Sequence, residues 1–223
     1  MFGKYSRLGL SNPHDRPVAI AGLLKRLQST IRVAGDYGIL DGRDTKGLLR
    51  RTLLWRRGSK EPVLRPINFS ASQAKTTVPS WSWMAYEGGI DYLKLEFDHW
   101  DWAHLQSPWN TDHEKKIADV DPSSVKTTLV ANAQICDFKA ATETEIEHHL
   151  DNRGRLLQGK PLCVVLGRAK GTDAVDDQKH CVLIIAPRMS KDKLGNTIYE
   201  RIGVAILPGK CISPNTPKVV HIQ

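Results

Sequence analysis

His99, Asp101 and His104 come closest in this 223-residue chain to a set of side chains able to hold a metal or move a proton. Along a strand, His99 and Asp101 share one face, and Trp100 and Trp102 take the other. His104 must then arrive from beyond a bend, and no further ligand stands nearby, so the donor set for zinc is incomplete. His148 and His149 lie among Glu143, Glu145 and Glu147, a pattern that reads as a solvated polar face. Gly167 to Thr172 has the look of a phosphate loop. It lacks the Gly-Lys-Ser/Thr ending, and it joins two expected strands where a phosphate loop opens a helix. There is no Gly-x-Ser-x-Gly elbow. Cys136, Cys163, Cys181 and Cys211 are widely spaced with no Cys-x-x-Cys pair, which argues against zinc knuckles and redox motifs and for small buried hydrophobes. Cys163 and Cys181 fall in strands expected to pair, which would make them neighbours in space. These residues define no catalytic set and imply no cofactor and no metal.

The charge is +8 overall but unevenly spread. Residues 1–75 hold 15 Lys/Arg against 5 Asp/Glu, residues 76–150 hold 5 against 13, and residues 151–223 hold 12 against 6. A nucleic-acid binder gathers its basic residues on one face without an acidic block beside it. The distribution therefore predicts that the basic N-terminal part packs near the acidic middle. Arg50, Arg51, Arg56 and Arg57 around Trp55 are the one patch with the composition of a nucleic-acid surface. A solvated helix flank whose apolar side packs inward is the expected reading, and nucleic acid is not the expected partner. No apolar run approaches the roughly 20 residues that span a bilayer, and the start of the chain lacks a signal-peptide core. Asn68-Phe69-Ser70 matches the glycosylation triplet, read as a chance match in a chain expected in the cytoplasm.

The elements that must position these residues begin with a helix. Asp15 is a candidate cap, Pro17 suits the first turn, and Ile20, Leu23, Leu24, Leu27 and Ile31 form one apolar stripe. A second helix, capped by Asp44 or Thr45, is expected through Leu48, Leu49, Leu53, Leu54 and Trp55 and to stop at Gly58. Pro79-Ser80-Trp81-Ser82-Trp83 reads as a strand with both indoles on one face, turning at Gly88-Gly89 into a returning strand through Leu93, Leu95 and Phe97. A further strand lies within Val125–Phe138, and Thr142–Leu150 is a short helix or loop. Strands at Leu162–Leu166, Cys181–Ala186 and Ile198–Ile206 follow with loop connections, the pattern of an antiparallel meander.

Several of these stretches together resemble the region downstream of the signature domain in fungal heterokaryon-incompatibility (HET-domain) proteins. They are Tyr5-Ser6-Arg7, the helix start from Asp15-Arg16 to Gly22, Leu53-Leu54-Trp55, Pro79 to Trp83 with its glycine turn, and Tyr199-Glu200-Arg201-Ile202-Gly203-Val204. The sharpest is Pro-Ser-Trp-Ser-Trp. The family's N-terminal domain, with its proposed signalling role, would precede Tyr5, and none of its motifs lies in these residues. The resemblance thus implies an accessory or recognition region of a non-self recognition protein, with protein partners and no carried-over catalytic residue.

The expectation is one α+β unit over residues 1–223, helical in 1–60 and β-rich in 76–223. In it, two N-terminal helices pack on a mainly antiparallel sheet or partly open barrel. Its function is expected to be non-enzymatic recognition or regulation. The alternatives are a hydrolase or nucleotide-processing enzyme using His99, Asp101 and His104, or a basic nucleic-acid-binding module.

Overall fold

A computed structural model describes residues 1–42, 47–69, 77–105, 107–109, 125–151, 161–171 and 174–223. The expected caps Asp44 and Thr45, Ser70 of the glycosylation triplet and Thr172 lie outside these residues. Two short pieces precede the main helix: α1, Phe2–Tyr5, and a turn of 3-10 helix, Pro13–Asp15, capped by the Asn12 side chain on the His14 amide. Asp15 stands at the N-cap position of the helix that follows but makes no side-chain cap bond to it. That helix, α2, runs Arg16–Ile31 with Pro17 in its first turn, where no N–H is needed. Its apolar stripe buries Ile20 and Leu24 fully, while Ile31 at the end is exposed. Arg32 turns left-handed and ends the helix.

Residues 1–60 are less helical than the sequence suggests. A hairpin, β1 Ala34–Asp36 and β2 Ile39–Asp41, follows α2. The second expected helix is only α3, Leu48–Leu53. It breaks at Leu54 because Trp55–Arg57 (β3) is drawn into an antiparallel ladder with Ile90–Tyr92 (β6). Arg65–Pro66 (β4) pairs in the same way with Tyr86–Glu87 (β5).

The tryptophan stretch is not a strand. Ser82 accepts the Met84 amide N–H at 3.0 Å, and this local bond folds Trp83–Ala85 into a turn of 3-10 helix. Every residue from Val78 to Tyr86 is buried, so neither side of the stretch faces water. Gly88-Gly89 does not close a hairpin either: β5 leaves for β4 and β6 for β3, and the glycines carry the chain between the two ladders. Only Gly88 has positive φ, 122°, and a Cβ there would lie 2.7 Å from Leu64 Cδ2. The expected return strand through Leu93, Leu95 and Phe97 ends at Tyr92, and Phe97–His99 is again a 3-10 turn.

The remaining chain is the β-rich part. Its strands are β7 Trp100–Trp102, β8 Leu129–Ile135, β9 Glu147–Leu150, β10 Leu162–Ala169, β11 Lys179–Lys191, β12 Thr197–Pro208 and β13 Lys218–Ile222. The antiparallel meander β10–β11–β12 is as expected. Thr142–Leu150, taken for helix or loop, ends in β9, which pairs with β12. β13 returns parallel to β12 and antiparallel to β8, and β8 pairs with β10. The hydrogen-bonded order β8–β10–β11–β12–β13–β8 is therefore a closed circuit, and the sheet is a small barrel with β7 and β9 extending it. Closure leaves these five strands with few bare edges.

One apolar cluster runs from Ile20 and Leu24 of α2 through Trp55, Trp81 and Trp83 to Leu129, Leu183 and Ile222 of the barrel. The α+β architecture thus has its helices and its barrel on a common core. The charge blocks meet as expected: Arg7 pairs with Asp91 at 2.6 Å and Arg65 with Glu87 at 4.0 Å, joining the basic first third to the acidic middle. Among the described residues no helix is long and apolar enough to cross a membrane.

Candidate functional site

Three of the stretches behind the family resemblance meet at one buried place. Arg201 sits in β12 with no exposed surface. Its guanidinium carbon lies 3.2 Å from the centre of the Trp55 ring, and its Nε donates to Asp151 Oδ2 at 2.9 Å. Nη1 donates to the Leu53 carbonyl at 2.7 Å, and Nη2 donates to the Trp55 carbonyl. The Arg201 amide donates to Ser80 Oγ at 3.0 Å, and Ser80 in turn donates to the Gln223 carbonyl. Tyr86 closes the ring of contacts by donating its hydroxyl to the Arg201 carbonyl. Burial pushes the Asp151 carboxyl above the usual range, and the Arg201 guanidinium offsets part of that rise.

A second arginine repeats the arrangement nearer the surface. Arg16, at the start of α2, lies 5.1 Å from the Trp83 ring centre. It donates to the carbonyls of Tyr86, Ser6 (2.8 Å) and Gly88 (3.1 Å), and no carboxylate among the described residues is bonded to it. Burial lowers its pKa, while Tyr5 and Glu87 pull it back up. The indole N–H groups are satisfied as well: Trp55 by Trp81 O, Trp81 by Thr127 O and Trp83 by Gly38 O. Gly38 has positive φ, 73°, and a Cβ there would run into the Trp83 indole. Pro79, Ser80, Trp81, Ser82 and Trp83 are thus parts of a buried seam between the N-terminal elements and the barrel.

Beside Arg16 the seam opens into a cleft of about 270 Å³. One wall is the N-terminal segment Leu8–Leu10, the other is residues 62–65, and Gly88 and Gly89 lie at its base.

The polar residues singled out from sequence are not brought together. His99 falls in the 3-10 turn and pairs with Glu96 at 3.0 Å, largely in solvent. Asp101 points outward from β7 towards Lys170 at 3.8 Å, and His104 is exposed. Among the described residues no group of three or more His, Cys, Asp or Glu is set to hold a metal. His149 pairs with Glu147 on the open side of β9. Gly167 lies inside β10, packed on the Trp102 ring. The arginine patch is dispersed: Arg50 donates to the Ala103 carbonyl, Arg57 to the Glu61 carbonyl, and Arg51 stacks over Phe97. Cys163 faces Ile184 and Cys181 faces Gly167, so these two are not opposite each other. Instead Cys136 lies against Cys163, and that contact together with burial drives the Cys136 thiol far above its usual value.

Arg201 and Asp151 were missed from sequence because each looked like an ordinary polar residue. The available signal was Arg201 alternating in register with Tyr199 and Gly203 in a strand otherwise rich in apolar residues. No protein-family model, no curated protein and no solved structure matches this chain.

Proposed function

We propose that the chain is a non-enzymatic recognition or regulatory module of the fungal heterokaryon-incompatibility type. The observation that supports this reading is the convergence on Arg201. Leu53 and Trp55, Ser80, and Arg201 itself belong to three separated stretches that resemble the family, and they bond one another directly. Motifs that are weak one at a time become a single packing unit, as expected if they were inherited together. In this unit Arg201, Trp55, Trp81 and Trp83 are all fully buried among the described residues. Its role is to hold a scaffold, and recognition then belongs to the surface around it.

The test is made in cells. Expressed in a filamentous fungus, the chain should lower the viability of heterokaryons formed with a strain that lacks it. An Arg201→Leu variant, in which the seam is broken, should not. Heterokaryons that grow identically with and without the chain overturn the reading.

A further inference from the structure

Two of the cysteines are held together where the ladders that close the barrel are short. β8 meets β10 only from Ala133 to Ile135, and β12 meets β13 only at Ile198 and Tyr199. By contrast, β11 and β12 pair along most of their length. In the β8–β10 register Cys163 lies opposite Gln134. The Cys136 amide donates to the Pro161 carbonyl at 3.0 Å, which carries that register one step past the end of β8. Opposite residues share a face, as do residues two apart, so Cys136 and Cys163 are diagonal neighbours on one face. The packing agrees. Ala133 and Val164 enter the cluster shared with the N-terminal elements, whereas Cys136 and Cys163 both enter a second cluster with Leu150, Val182, Ile184 and Ile202.

The two thiols hydrogen-bond one another. The other cysteines are less well placed. Cys181 belongs to the first cluster, and the residue facing Cys136 on its other side is Ile212, with Cys211 one step away. Two thiols alone are too few for a zinc site. Diagonal neighbours in an ideal ladder are about 7–8 Å apart at Cα, slightly more than a disulfide spans. Cys136 stands past Ile135, the last residue of β8, where a small shift makes up the difference.

We propose that Cys136 and Cys163 are a redox-sensitive staple: on oxidation they form a disulfide that ties β8 to β10 and fastens the barrel at a short ladder. The oxidant is a low-molecular-weight disulfide such as glutathione disulfide. One cysteine thiolate attacks it, forming a mixed disulfide and expelling a glutathione thiolate. The second cysteine thiolate attacks the protein sulfur of that mixed disulfide and expels the other glutathione thiolate. Two protein thiols are oxidised, one glutathione disulfide is reduced, and the two protons pass to the glutathione thiolates. The product is neutral and suits an apolar site that disfavours a thiolate. Buried thiols react slowly, so the exchange takes place when the short ladder opens or while the chain folds. Under a reducing glutathione poise the pair stays as thiols, and the staple closes as the poise becomes oxidising.

The experiment unfolds the full chain in guanidinium with a reductant and refolds it in glutathione buffers from fully reduced to fully oxidised. Remaining thiols are then blocked with iodoacetamide. The oxidised chain should have lost two hydrogens and carry the label only on Cys181 and Cys211, and proteolysis should release a linked Cys136–Cys163 peptide. It should melt about 5–10 °C above the reduced chain, the scale set by the entropy of a closed loop of this length. Added reductant should abolish the difference. Cys136→Ser should form no disulfide and melt alike in both buffers, whereas Cys211→Ala should link as the parent does. The linkage is read on the parent chain, so a variant that fails to fold leaves the question decided. All four thiols still free in glutathione disulfide alone, a link through Cys181 or Cys211, or an oxidised form that melts no higher than the reduced one overturns the inference.

Discussion

Arg201 and Arg16 each lie against a tryptophan and donate to backbone carbonyls, yet among the described residues only Arg201 has a carboxylate bonded to it. Arg201 is enclosed on every side, whereas Arg16 borders the cleft. The difference teaches how one device serves two ends. A wholly buried cation needs a counter-charge, which Asp151 at the end of β9 supplies, while its bonds to the Leu53 and Trp55 carbonyls tie β12 to the N-terminal elements. A cation at the edge of a cleft keeps some access to water and can be satisfied by carbonyl dipoles alone. It fixes the shape of the glycine turn without closing the surface.

This contrast can be broken most directly at Arg201. Arg201→Leu strands Asp151 and removes donors from the Leu53 and Trp55 carbonyls, so it should cost about 3–5 kcal/mol. A denaturant melt within about 1 kcal/mol of the parent would show that Arg201 is not what joins the two halves. Pairing that change with Asp151→Leu should recover much of the loss, because the stranded charge goes with it. A double variant no better than the single one would place the energy in the carbonyl bonds instead.

Arg16→Met should cost less, about 1–3 kcal/mol, since among the described residues it strands no carboxylate, and of the three carbonyls it frees the Gly88 one lies at the cleft. An effect equal to that of Arg201→Leu would erase the distinction between the two sites.

The smallest expected effect is on alkaline stability. Tyr92 and Tyr5 have buried hydroxyls without a hydrogen-bond partner among the described residues. Burial raises both phenols, with Arg201 pulling Tyr92 partly back and Arg16 doing so for Tyr5. A phenol raised in the folded state stabilises fully below its ordinary value near 10 and loses that contribution as pH rises further. Stability should therefore fall above about pH 10, and Tyr92→Phe should flatten the fall more than Tyr5→Phe, because Tyr92 is more deeply buried. Melts across that range, with ultraviolet absorbance to follow phenolate, decide it; equal slopes for both variants would count against the deeper enclosure of the Arg201 side.

What could be read in advance divides along the same line. Helix α2 and strands β10 to β12 were visible because their apolar spacing is long and regular. The Trp81–Trp83 stretch was misread because alternation suggested a strand, while the Ser82 hydroxyl offered the backbone a tighter local bond. Trp55 was placed in a helix because nothing nearby announces its partner, Tyr92, 37 positions later. Barrel closure depends on the few bonds of β13, which carry no pattern of their own. The cleft was not visible at all, since it exists only once Leu8–Leu10 and residues 62–65 are set opposite each other.

The bond from Arg201 to the Leu53 carbonyl joins residues 148 positions apart. During synthesis the first elements must wait until β12 has left the ribosome before Trp55 acquires its cation and Asp151 its partner. Contacts of such long sequence separation slow folding and prolong the exposure of apolar surface. The Trp55 face that stacks on Arg201 therefore gains its cover only once the last third of the chain has been made.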